Sequence, residues 1–183
     1  MRQRKCKSCR EPFTPELNGA SCCSVECALA DAKGKREKAV RRQMAQRKRA
    51  LKSKSDWLKE AQAEFNRFIR LRDADKPCIS CGRHHAGQYH AGHYRTTAAQ
   101  SSLRFNELNC HKQCAPCNNH KSGNITEYRI ELTRRIGPKL VDWLEKDHPP
   151  CKWSVEEIQA IKKYYRDACK AILADPDQNP VPF

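Results

Sequence analysis

The stretch 78-CISCGRHHAGQYHAGHYRTTAAQSSLRFNELNCHKQCAPCNN-119 decides how this chain is read. It opens with Cys78-x-x-Cys81 and closes with Cys114-x-x-Cys117. Two close thiolate pairs brought together by a loop suit tetrahedral zinc, because each pair spans one edge of the tetrahedron. Between the pairs lie 32 residues that include His84, His85, His90, His93 and His111 but a single carboxylate, Glu107. A zinc ion held by four thiolates needs none of these histidines, so the histidine-rich insert has another reason to exist. His84 and His85, just after the first knuckle, read as loop residues, and His111 reads as structural.

Working outward, a second set of the same kind stands near the N-terminus. Cys6-x-x-Cys9 is followed by Cys23-x-x-x-Cys27, with Cys22 as a fifth thiol beside the second pair. Cys23 is preferred over Cys22 because Cys-Ser-x-x-Cys is like the closing half of many small zinc fingers. A segment this small has almost no apolar core, so the metal would supply its folding energy. Cys110, Cys151 and Cys169 remain as packed thiols. Twelve cysteines with no hydrophobic signal region after Met1 point to metal ligation in the cytoplasm rather than to disulfides. The longest apolar runs fall short of the ~20 residues that cross a bilayer, so no membrane span is expected.

Charge is concentrated at one end. The whole chain of 183 residues carries a formal net charge of +15. Residues 1–54 hold 16 Lys/Arg against 5 Asp/Glu, and residues 55–183 hold 20 against 16. The run 33–54 is rich in helix formers, lacks proline, and offers only Val40, Met44 and Leu51 as a thin apolar stripe. Such a helix is either a solvated linker or a basic arm that neutralises phosphates, with Arg41, Arg42, Arg47, Lys48 and Arg49 as its contacts. Each phosphate neutralised releases counterions, so binding would weaken steeply with salt.

The remaining segments read as helices. Ser55 or Asp56 is expected to cap a helix over 56–73, with Trp57, Leu58, Ala61, Phe65, Phe68 and Ile69 on one face. That face is read as packing, and the helix 56–73 also as a candidate dimer contact. Helices are expected over 124–136, ended by Gly137-Pro138, and over 139–147. Ser154 and Glu157 form a capping box for a last helix running to about Ala174, with Trp153 stapled onto Ile158. The proline-bearing tail 175–183 reads as disordered.

The central residues also carry a resemblance. His93, Asn109 and Asn118, at spacings of 16 and 9, resemble the His–Asn–His/Asn order of the HNH, or ββα-metal, nucleases. In that family a four-thiolate clamp often brackets the motif, and Asn118 directly follows Cys117 as the last motif residue does there. An asparagine at this helix start is similar to the endonuclease VII group of phage junction resolvases. The wider run AGHYRT…LRFNELNCHKQCAPCNNHKSGN…Y resembles the NinG (Rap) family of lambda-like phage recombination proteins, over the whole chain.

The resemblance implies an activity: metal-assisted hydrolysis of phosphodiesters in branched recombination intermediates, Holliday junctions and D-loops, inside the bacterial host cell. It implies a hairpin carrying His90 and His93, and a short helix from about Cys114 carrying Asn118. His93 would be the general base, and Asn109 would hydrogen-bond its ring. Besides two structural Zn²⁺, one catalytic Mg²⁺ or Mn²⁺ would be held by Asn118 and by His90, which stands where the family often has Asp, with His120 or Asn124 as further candidates. An imidazole-and-amide set without a carboxylate binds Mg²⁺ weakly and favours Mn²⁺. Arg95 and Lys121 would hold the scissile phosphate.

Two other functions fit the residues. A non-catalytic double zinc-finger nucleic-acid-binding protein explains the charge and both cysteine sets, and leaves the His93/Asn109/Asn118 order as coincidence. An adaptor would use the first finger to recruit a recombinase or replication protein. Cutting two strands symmetrically would suit a homodimer. The fold expected is α+β and mostly helical, with an N-terminal finger over 1–28, a basic arm over 29–54 and a zinc-clamped nuclease domain over 55–174.

Overall fold

The computed structural model describes residues 3–17 and 19–174. The tail 175–183 lies outside the described residues. The chain divides into two units, residues 1–52 and 53–183, and is mostly helical with two small antiparallel sheets.

In the first unit, β1 (Arg4–Lys5) pairs with β2 (Pro12–Phe13). A long helix, α1 (Val25–Ala50), follows. Its N-cap is Ser24, whose hydroxyl accepts from the Cys27 N–H at 3.2 Å. The helix therefore begins inside the cysteine set, and the expected boundary between finger and arm at 28/29 falls within α1. None of its described residues is buried. Val40, Met44 and Leu51 are 48%, 59% and 85% exposed, so the thin stripe packs on nothing in its own unit. At 1.5 Å per residue α1 is about 39 Å long.

In the second unit, α2 (Lys54–Arg72) starts two residues earlier than the sequence suggested. Its N-cap is Ser53, not Ser55 or Asp56. Ser53 Oγ accepts from the Asp56 N–H, and Asp56 Oδ2 accepts from the Ser53 N–H. Asp56 thus closes a capping box from inside the first turn, where a carboxylate also meets the helix dipole. The apolar face of α2 packs on α5 (Val155–Ala174), with Trp57, Ala61, Phe65, Phe68 and Ile69 against Ile158, Tyr165, Cys169 and Ile172. That face is consumed by the core and is not free to form a dimer contact. The Ser154/Glu157 box forms as expected, and Trp153 packs into the same cluster as Ile158.

Between these helices runs a hairpin. β3 (Tyr89–His93) pairs antiparallel with β4 (Cys110–Cys114), in register His93 with Cys110 and Tyr89 with Cys114. A single wide helical turn follows over Pro116–His120. Next come α3 (Ile125–Ile136) and α4 (Pro138–Glu145), hinged at Gly137 with φ +82°. They enclose a second core of Ile79, Tyr94, Leu103, Tyr128, Leu132, Val141 and Leu144.

The buried pair Arg72–Asp73 welds the end of α2 to β4. Arg72 donates to the Glu107 and Cys110 carbonyls, and Asp73 accepts from the Lys112 N–H. Among the described residues no helix is long and apolar enough to cross a membrane.

Candidate functional site

Each cysteine set converges. The four sulfurs of Cys6, Cys9, Cys23 and Cys27 lie within 4.8 Å of one another, as do those of Cys78, Cys81, Cys114 and Cys117. Sulfur separations of 3.6 Å for Cys9–Cys23 and Cys23–Cys27 and of 3.9 Å for Cys81–Cys114 bracket the edge of about 3.8 Å expected for tetrahedral zinc. Both donor sets fit structural zinc. Cys23 joins the first set, while Cys22 lies outside it beside Ser21. In the second set, His85 is more than a loop residue: its Nε2 lies 3.2 Å from Cys81 Sγ. An N–H···S bond there moderates the charge of a four-thiolate ion, the usual work of a group just outside the ligand shell.

The hairpin fixes where the histidines point. Successive strand residues face opposite sides, so His93 shares a face with Ala91 and Tyr89, and His90 shares the other with Gly92. The His93 side faces α2: its ring centroid lies 5.8 Å from that of Phe65. The opposite side faces α3, where His111 meets Tyr128. There the Gln113 side chain lies over Gly92, and it would collide with any Cβ at that position. Tyr128 also donates to the Gly92 carbonyl on this side.

His93 is half-buried. Its Nε2 lies 2.9 Å from the Arg104 carbonyl oxygen. A carbonyl only accepts, so Nε2 carries the proton and Nδ1 bears the lone pair. Nδ1 lies 3.7 Å from the sulfur of buried Cys110, whose thiol is kept protonated by burial and is a weak donor to it. Burial pushes the His93 imidazole below its ordinary basicity, only partly offset by the bond to Arg104 O, so the ring is neutral at physiological pH.

The expected partnership of Asn109 with the His93 ring is not what forms. Asn109 is fully buried. Its Oδ1 accepts from the Arg95 N–H at 2.8 Å, and its Nδ2 donates to the Arg95 carbonyl at 2.9 Å and the Leu103 carbonyl at 3.2 Å. The register explains this. Asn109 pairs one step beyond His93, where the Tyr94 N–H donates to its carbonyl, so its amide faces the backbone after His93 rather than the ring. Asn109 therefore positions both Arg95 and the segment that delivers the Arg104 carbonyl. That carbonyl left no signal in the sequence, because any residue type carries one.

Of the donors foreseen for a catalytic ion, His90 does not face the same side as His93. Its Nε2 is buried without a hydrogen-bond partner. Asn118 sits in the turn 116–120, where its Nδ2 donates to Asn119 Oδ1 at 2.8 Å. His120 is exposed, and Asn124 starts α3 in a left-handed conformation without a side-chain cap. Among the described residues only the two cysteine sets bring three or more His, Cys, Asp or Glu donors together. Lys121 lines a cleft of about 500 Å³ with Arg83, His85 and Asn124; Arg95 is not among its walls. Arg41, Arg42, Arg47, Lys48 and Arg49 are exposed along α1.

Fold and site define a basic, two-cluster cysteine protein with a histidine-bearing hairpin held beside its second cluster. The chain belongs to the NinG family: the model described as "Bacteriophage Lambda NinG protein" matches residues 1–175. It is 46% identical over 188 residues to "Protein ninG" of Escherichia phage lambda, covering 92% of each chain. It is 46% identical over 188 residues to that of Salmonella phage P22, covering 92% of this chain and 93% of that one. No solved structure matches.

Proposed function

We propose that this chain is a structure-specific DNA endonuclease that hydrolyses phosphodiester bonds in branched DNA, such as Holliday junctions and D-loops, around an HNH-like hairpin. One observation carries the reading: His93 is held as a neutral imidazole with Nε2–H tied to a carbonyl and Nδ1 as the basic atom, beside the weakly donating Cys110 thiol. That is the state a general base requires. Nδ1 takes a proton from water as the water oxygen bonds to phosphorus, the P–O bond to the leaving strand breaks, and the leaving oxygen is protonated from solvent.

Asn109 holds the Arg95 backbone and the Leu103 carbonyl near this ring, and the positive charge of Arg104 acts on it. The exposed cations of α1 suit sequence-independent contact with DNA phosphates. His90, expected with Asn118 to hold Mg²⁺ or Mn²⁺, stands on the face of the hairpin opposite His93, so no step is routed through that ion. That separation is also the observation favouring the second reading, a non-catalytic zinc-finger nucleic-acid-binding protein.

The test is incubation of the full chain with a labelled four-way junction and a matched duplex, with Mg²⁺ or Mn²⁺, against His93→Ala. Junction cutting that disappears in the variant while junction binding persists is expected. Its rate should rise with pH through a midpoint below the ordinary imidazole value of about 6.5. Binding without cutting under every condition sinks the nuclease and leaves the binding protein.

A further inference from the structure

Four arginines of the second unit have little or partial exposure: Arg72, Arg95, Arg104 and Arg135. Arg72 is paired with Asp73 and Arg135 with Glu131. Arg95 and Arg104 make no ion pair among the described residues; the charge of Arg95 acts on Glu145, and that of Arg104 acts on His93. Arg95 follows it by two positions, and Arg104 supplies the carbonyl that accepts from its ring. A guanidinium drawn partly out of water without a carboxylate is a ready partner for an incoming anion.

Arg104 is also held in place. Its Nη1 donates to Gln62 Oε1 at 3.2 Å, and Gln62 Nε2 donates to Asn66 Oδ1 at 2.8 Å. Both amides stand on α2, where Phe65 lies between them in sequence and meets the His93 ring. One helix therefore braces the ring from one residue and the guanidinium from the next turn. One N–H group of Arg104 is engaged by Gln62, and the rest of the planar fork is left for a ligand. The positive charge of Arg104 is among the causes that lower His93 basicity, which fits a guanidinium near the ring.

We propose that Arg104 clamps the non-bridging oxygens of the phosphodiester on which His93 acts. The clamp rests on the nuclease reading for its role and deepens it by naming the group that meets the substrate's charge. The fork of arginine matches two phosphate oxygens, and its interaction strengthens as the oxygens gain charge in the transition state. Gln62 is a positioning residue, acting through Arg104. Nothing in the run SSLRFNELN marks Arg104 in the sequence; its meaning comes from the folded neighbourhood of His93.

Two readouts on the full chain test the clamp. In the first, single-turnover cutting of a four-way junction is compared for wild type, Arg104→Ala and Arg104→Lys, with junction affinity measured in parallel. A loss of about 100-fold or more is expected for Arg104→Ala, the scale of removing one oxyanion donor. A partial loss is expected for Arg104→Lys, and affinity should stay within a few-fold. The acid limb of the pH–rate profile should move up in Arg104→Ala, because removing a positive charge raises the His93 pKa. Cutting by Arg104→Ala at the wild-type rate overturns the proposal.

In the second readout, arginine Nε–Hε signals of the ¹⁵N-labelled chain are followed while a short phosphorothioate oligonucleotide is added, with Arg104 assigned from its absence in Arg104→Lys. A shift of that signal is expected, and no shift overturns the clamp. A shift in a protein that cuts nothing would keep Arg104 as a phosphate contact and reject the nuclease reading alone.

Discussion

The two cysteine clusters have the same donor set but opposite surroundings. In the first, Cys6 is buried while Cys9 and Cys23 are exposed, and the sheet beside it has two residues per strand. In the second, Cys78, Cys114 and Cys117 are buried, and the cluster ends a five-residue hairpin that runs between two apolar cores. Among the described residues the first region has little beyond its two-stranded sheet to hold it, so a bound metal would serve as its core. The second region has a core of its own, and a metal there would pin one end of the hairpin that carries His93.

The largest effect should come from removing the metal. A strong chelator is expected to unfold the cysteine loop of 3–24 outright, since structural zinc supplies on the order of 10 kcal/mol in small fingers. Helices α2 and α5 should keep their amide protection, and protection of β3 and β4 should fall. Hydrogen exchange with and without chelator checks this. Equal loss across both regions would erase the contrast between the clusters.

A smaller effect, confined to the second unit, is expected from Asp73→Asn. Asp73 is fully buried beside Arg72, and breaking such a pair costs about 3–5 kcal/mol. The Arg72 guanidinium and the Lys112 N–H hold the Asp73 carboxyl far below the usual carboxylate range, outweighing the effect of burial. A folded pKa below the unfolded value of about 3.9 gives stability that is complete above that value and is lost as pH falls beneath it. Wild type should therefore lose stability on acidification through that range, and Asp73→Asn should have lost it at every pH. Denaturant melts from pH 7 to pH 3 read both, and an acid limb of equal depth in the variant would remove Asp73 as its cause.

The smallest effect on stability belongs to α1. Neutralising Arg41, Arg42, Arg47, Lys48 and Arg49 together should change unfolding free energy by no more than about 0.5 kcal/mol per site, because these side chains are exposed. DNA affinity should nevertheless fall, and the slope of log affinity against log salt should flatten by several units. An unchanged salt slope would take α1 out of the DNA contact and return it to a solvated linker.

Much was legible before any coordinates. The Cys-x-x-Cys spacings named both clusters, since four thiolates at such offsets have few other uses. The 3.6-residue period of Trp57, Ala61, Phe65 and Ile69 placed α2, and Ser154 with Glu157 placed α5, because both patterns are local. The α2 cap forms at Ser53 rather than at Ser55 or Asp56, because capping side chains recur over 53–56 and only the backbone turn at Ser53 selects among them.

The sequence by itself determined the cysteine sets, the helices and the concentration of charge in the first unit, all set by short-range chemistry. Only the tertiary structure decided that His90 and His93 face apart and that Asn109 grips the backbone around Arg95. It also decided that the Arg104 carbonyl, not the Asn109 amide, fixes the His93 tautomer. Those outcomes depend on strand register and on backbone groups, and one step of register reverses which face a side chain occupies.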